Sequence, residues 1–170
     1  MSREVEALTN LAQLCLDAGC PAAALKGYAA ILGRAASPRV VLSALGGAAI
    51  AAARSGDKAV LTRVESEIVK RVGSSGLLYE NAQAHYHLAQ AYGAIGDTKR
   101  RDEHLDRTRQ LAKARGFFEL LHKADSDAMG RATEPVIPAN LTTSARSVVE
   151  SINDYDIGAG AELLALTRQF

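Results

Sequence analysis

The chain has 170 residues, a formal net charge of +1, 48% hydrophobic residues and only 5% aromatics. A near-neutral balance gives no global attraction to nucleic acid or to an anionic membrane. Alanine supplies much of the apolar fraction, which points to close-packed helices in one domain and away from a β-sandwich.

The N-terminus, Ser2-Arg3-Glu4-Val5-Glu6, carries acids and no signal-peptide pattern, and the longest apolar run, around Ala48–Ala53, is far short of a bilayer span. The expectation is a soluble, cytoplasmic protein. Leu8–Ala18 reads as a first helix, with Leu8, Leu11, Ala12, Leu14, Cys15 and Ala18 apolar and Gly19 ending it. Cys15 and Cys20, the only cysteines, read as small buried thiols. Pro21 opens a second helix, where its missing N–H is no loss. This helix runs to about Leu32 and buries Ala24, Leu25, Tyr28, Ile31 and Leu32.

Ser37-Pro38 starts a third helix with a good cap followed by proline. Its run Val41–Ala53 is the least bulky stretch of the chain. Glycine in a helix costs about 1 kcal/mol relative to alanine, so Gly46 and Gly47 imply close approach of neighbouring helices. Gly56-Asp57 is a turn, and a partner helix follows with Ala59, Val60, Leu61, Val64, Ile68, Val69 and Val72 apolar. Gly73-Ser74-Ser75-Gly76 reads as a loop.

The clearest unit is Ala82–Gly116, two helices joined at Gly96-Asp97. The first, roughly Tyr79–Ile95, repeats Leu88, Ala91, Tyr92 and Ile95 at the helical period. Asp97 is a candidate N-cap for the second, Thr98–Arg115, which turns Leu105 and Leu111 inward with Thr108 and Ala112 as small partners. Phe117–Met129 reads as a final capping helix. Gly130–Asn140 is stopped by Pro135 and Pro138, and two amphipathic pieces follow, Thr143–Tyr155 and Ala159–Arg168, broken at Gly158. The organisation expected is a helical domain 1–129, a linker 130–142 and a helical tail 143–170.

Leu88-Ala89, Tyr92 and Gly96-Asp97 stand at the spacing of the large–small pair, aromatic and turn of the tetratricopeptide repeat. Leu11-Ala12, Gly19, Ala24 and Tyr28 do so in the first hairpin, with Cys15 in place of the usual aromatic. The chain therefore resembles that family. Arg101 stands where the family prefers alanine and Lys113 where it often has proline, the marks of a degenerate or terminal repeat. Gly19, Gly56 and Gly96 lie 37 and 40 residues apart, longer than the usual repeat of about 34, as in repeats attached to bacterial transcription regulators and signalling ATPases. The resemblance implies an all-α fold: a right-handed α-solenoid of about three helical hairpins, a capping helix and the tail.

The family's concave binding face falls on Glu6, Thr9, Gln13 and Asp17; on Ser43, Gly46, Ile50 and Arg54; and on Gln83, Tyr86, Gln90 and Gly93. Its carboxylate clamp needs Lys, Asn and Arg, but Thr9, Gly46 and Tyr86 occupy those positions, so that clamp is not expected. A groove floored by Gly46, Gly47 and Ile50 would suit an apolar helix or extended segment.

Other constellations are weaker. His85 and His87 are two apart on a helix and face away from each other, which defeats chelation by that pair; His104 lies on the other helix of the hairpin, where it could come near one of them, but no Cys or acid completes a spaced set. Lys99–Arg115 is basic, but Asp102, Glu103 and Asp106 interleave, so a solvated, ion-paired face is expected over a nucleic-acid patch. Gly158-Ala159-Gly160 follows no strand and is no nucleotide loop. Ser144 and Ser147 have no neighbouring base.

The function expected is non-enzymatic, with no cofactor or metal. The chain would be an adaptor that binds a protein or peptide partner through the concave face or the tail. The alternatives are a sensor for a short peptide or small molecule, and a chaperone like the three-repeat bacterial secretion chaperones. The tail would pack on the repeats, enter the groove or swap into a homodimer.

Overall fold

The computed structural model describes residues 3–34, 37–73 and 76–129. The linker 130–142 and the tail 143–170 lie outside the described residues. Seven helices and no strand are found among the described residues: α1 Arg3–Asp17, α2 Pro21–Leu32, α3 Pro38–Arg54, α4 Lys58–Val72, α5 Leu78–Ala94, α6 Thr98–Arg115 and α7 Phe118–Ala128. The sequence reading placed each of these within a few residues. The largest difference is α1, which begins five residues before Leu8. None of these helices is long and apolar enough to cross a membrane.

The turns follow from local chemistry. At the end of α5, Asp97 N–H donates to Tyr92 O at 3.0 Å and Gly96 N–H to Gly93 O at 3.1 Å. That is the Schellman pattern, and it requires the left-handed conformation that Gly96 adopts, φ +75°. The Asp97 carboxylate then accepts Arg100 N–H at 3.1 Å and starts α6. Asp57 does the same for α4 with Val60 N–H, at 3.0 Å.

The hub of the packing is α3, which lies against α2, α4 and α5. A helix enclosed on most sides must be apolar around most of its circumference. Leu42, Leu45 and the run from Ala48 to Ala53, apart from the half-buried Ile50, are buried accordingly. The two glycines serve two different neighbours. A methyl on Gly46 would collide with the His87 ring of α5, and one on Gly47 with the Tyr28 ring of α2. The expected close approach is therefore present, but both glycines are buried beneath aromatic rings. They do not form an open groove floor.

The hairpins do not stack alike. The first meets the second chiefly through α2 on α3, and the second meets the third chiefly through α3 on α5. One apolar cluster runs through α1 to α5, and a second joins α5, α6 and α7 through Tyr86, Ala89, Leu105, Ala112, Leu120 and Ala124. Several apolar residues of these helices lie outside the core: Leu14, Ala59 and Val69, grouped with the apolar positions of their helices above, are exposed, as are Leu78, Phe118 and Ala128. Leu16, read as nothing in particular, is 2% exposed and belongs to the core.

Candidate functional site

The face expected to bind a partner separates into two polar groups at opposite ends of α3. Ser43 and Arg54 are eleven residues apart, about 16 Å along the axis. At the C-terminal end, Tyr28 Oη donates to Gln13 Oε1 at 3.0 Å, Gln13 Nε2 donates to Asp17 Oδ1 at 2.8 Å, and Arg54 Nη1 donates to Leu16 O at 3.0 Å. Burial pushes the Tyr28 phenol up to about 12, with Asp17 adding to the shift and Arg54 opposing it. Gln13, Asp17 and Arg54 are thus brought together, but largely to hold α1, α2 and α3.

At the N-terminal end a recess of about 210 Å³ opens between α3 and α5, lined by Arg39, Leu42, Ser43, Tyr79, Glu80, Gln83, Ala84 and His87. Arg39 Nε meets Glu80 Oε1 at 2.5 Å. The two partners differ in setting: the Glu80 side chain is 13% exposed and that of Arg39 71%. His87 lies over Gly46, and its Nδ1 is buried with no hydrogen-bond partner. Burial first, and then the charge of Lys123, lower the His87 imidazole to about 4, so the ring is neutral near pH 7. Ser43 and Gln83 from the expected face are here.

The remaining expected residues are dispersed. Thr9 Oγ1 donates to Val5 O of its own helix at 2.7 Å. Gly46 and Ile50 pack into the interior, the former beneath His87. Tyr86 is buried against α7, where its hydroxyl is bonded to Asp127; burial first, and then that bond, raise its pKa. Gln90 is exposed and bonded to the same hydroxyl. Glu6 and Gly93 are exposed.

A third polar group was not foreseen. Glu65 of α4 accepts from Tyr92 Oη of α5 and from Arg100 Nη1 of α6 at 3.0 Å, and its Oε1 meets His104 Nε2 at 3.1 Å. In the tautomer whose Nε2–H donates to the carboxylate, the Nδ1 lone pair of His104 faces His85 Nδ1, 3.1 Å away. His104 does approach one of the two α5 histidines, but as a tautomer-coupled pair. Among the described residues no group of three or more His, Cys, Asp or Glu is placed to hold a metal ion. Burial, then His104 and Arg107, lower His85 to about 4. A sequence signal for Glu65 existed: Leu61, Val64, Glu65 and Ile68 share one stripe, with a carboxylate among buried apolar residues. Beside this group lies a wider recess of about 320 Å³, lined by Lys58, Leu61, Thr62, Tyr92, Ile95, Gly96, Asp97 and Arg100.

On α6 two of the interleaved acids, Asp102 and Asp106, pair with their neighbours. Arg109 meets Asp106 at 2.9 Å and Asp125 of α7 at 2.8 Å, and Arg101 meets Asp102 at 2.8 Å. Cys15 is buried and Cys20 partly so, both as free thiols. No family model, no curated protein and no solved structure matches this chain.

Proposed function

We propose that this chain is a non-enzymatic adaptor of the cytoplasm, a degenerate tetratricopeptide-like right-handed solenoid that engages a partner polypeptide at the N-terminal ends of α3 and α5. The observation that carries this reading is the recess beside Ser43 and Gln83, with its polar rim and its neutral His87. Small-molecule pockets span about 300–1,000 Å³. A recess of about 210 Å³ is below that range and fits one side chain of a larger partner. Consecutive helical hairpins turning at left-handed Gly19, Gly56 and Gly96, the last two followed by a capping aspartate, support the repeat reading. A second reading, a small-ligand sensor, draws on the recess of about 320 Å³ at the α4–α6 end.

The adaptor reading is tested by placing a photocrosslinking residue at Ser43, at Gln83 or at Gln110, an exposed site on α6, in the full chain within its native host. One protein adduct shared by positions 43 and 83 and missing from 110 supports it. Identical adducts at all three positions, no adduct, or adducts only to residues 130–170 of the chain itself count against it.

A further inference from the structure

Glu80 presents a carboxylate that is largely buried in the wall of the α3–α5 recess, and among the described residues its one paired cation is Arg39. Burying a carboxylate is costly unless a cation and hydrogen bonds compensate. The cation supplied here belongs to an exposed side chain that reaches across the mouth from the first turn of α3. Arg39 gains nothing from that position locally, since a cation at a helix N-terminus opposes the macrodipole and the first turn of α3 holds no acid. Its guanidinium therefore shows what the recess accepts, in a form that is easily exchanged.

We propose that the recess between α3 and α5 is a subsite for an arginine side chain of the partner polypeptide, which displaces Arg39 from Glu80; this rests on the adaptor reading. The walls match the chemistry. A carboxylate such as that of Glu80 can accept two parallel N–H bonds from a guanidinium, Tyr79, held edge-on to Phe117, lines the recess beside it, and Ser43 and Gln83 carry further acceptor oxygens. The charges facing the recess permit it. His87 is uncharged near pH 7, and Lys123, whose field reaches His87 and Tyr79, is tied to Glu119 at 2.6 Å. Glu80 then remains as the site's acid once Arg39 swings out. The volume suits a single side chain.

The test is a titration of the full chain with the pentapeptide Ala-Ala-Arg-Ala-Ala, blocked at both ends, and with its citrulline counterpart, which keeps the shape and loses the charge. Backbone amide shifts are followed by NMR. The arginine peptide is expected to shift the amides of residues 39–43 and 79–87, and the citrulline peptide to bind at least about tenfold more weakly. Glu80→Gln should weaken the arginine peptide by a similar factor. Arg39→Ala should tighten it by about two- to fivefold, because an exposed internal competitor is removed. Equal binding of the two peptides, or weaker binding after Arg39→Ala, overturns the subsite. Arg39→Ala keeps the proposal refutable should Glu80→Gln unfold. Crosslinks at Ser43 and Gln83 that excess arginine peptide leaves untouched would refute the subsite while the adaptor reading stands. Peptide binding without any crosslinked partner would do the reverse.

Discussion

Gly47→Ala and Gly93→Ala are the same chemical change in two helices, and the structure assigns them opposite signs. Helix preference alone favours alanine by up to about 1 kcal/mol at each site. At Gly93 the new methyl meets only the flexible Arg101 side chain, 3.4 Å away, so most of that preference is realised. At Gly47 the methyl enters the phenol end of the Tyr28 ring, which is 2% exposed and cannot swing into solvent. Overpacking of this kind costs about 1–3 kcal/mol. Shifting the ring also strains the Tyr28–Gln13 hydrogen bond, worth about 1 kcal/mol. The net for Gly47→Ala is a loss of about 1–3 kcal/mol. In a chain of this size, that lowers Tm by roughly 3–10 °C, and Gly93→Ala raises it by up to about 3 °C. Circular dichroism at 222 nm during heating reads both. If Gly47→Ala stabilises the protein as Gly93→Ala does, α2 and α3 are not in the close contact described and the glycine pair has another cause.

Glu65→Ala removes the acceptor shared by Tyr92, Arg100 and His104 and should cost about 1–3 kcal/mol, discounted because Arg100 is 44% exposed; a urea midpoint unchanged from the parent would contradict the network. Stability should fall as pH drops from about 6.5 towards 4. His85 and His87 stay neutral in the folded state down to about 4, whereas the unfolded chain takes up these protons near 6.5. The folded state therefore binds fewer protons in that window, and each histidine contributes a slope on the order of 1 kcal/mol per pH unit. Above 6.5 both states are neutral at these residues and the effect vanishes. His87→Gln should flatten the slope, and a parent whose urea midpoint is level between pH 7 and pH 5 would show that neither imidazole is depressed.

The helices and turns were legible because their determinants are local. Gly96 and Asp97 meet the end of one helix and the start of the next through bonds that span only a few residues. The phase of α1 was also available and was misapplied. Val5, Leu8, Ala12 and Cys15 define a buried stripe, and at 100° per residue Leu14 falls about 140° from its centre while Leu16 lies only about 60° away, at its edge. Phe118 is a different matter. It is 78% exposed at the start of a terminal helix, and no periodicity within α7 reveals which of its faces has a neighbour. The recess was half legible. Ser43 and Gln83 came from repeat spacing, but Arg39 and Glu80 sit one turn nearer the helix starts and meet only through the α3–α5 packing.

That packing also explains why the expected face divides. An even groove needs the first helices of successive hairpins to lie at equal separations. Here α3 and α5 are close along their length while α1 and α3 barely meet, because the first hairpin docks on α3 through α2. The cause lies in the side chains at each seam. Gly47 lets the Tyr28 ring of α2 sit deep against α3, and Gly46 lets the His87 ring of α5 do the same on another face. Two aromatic rings take up the space that a groove floor would occupy. Polar side chains are left at the two ends of α3, one set knitting α1 to α3 around Tyr28 and the other rimming the recess at Glu80. The second set holds a largely buried carboxylate, Glu80, paired with an exposed arginine, Arg39, and that asymmetry is why the proposed recognition is placed at that end.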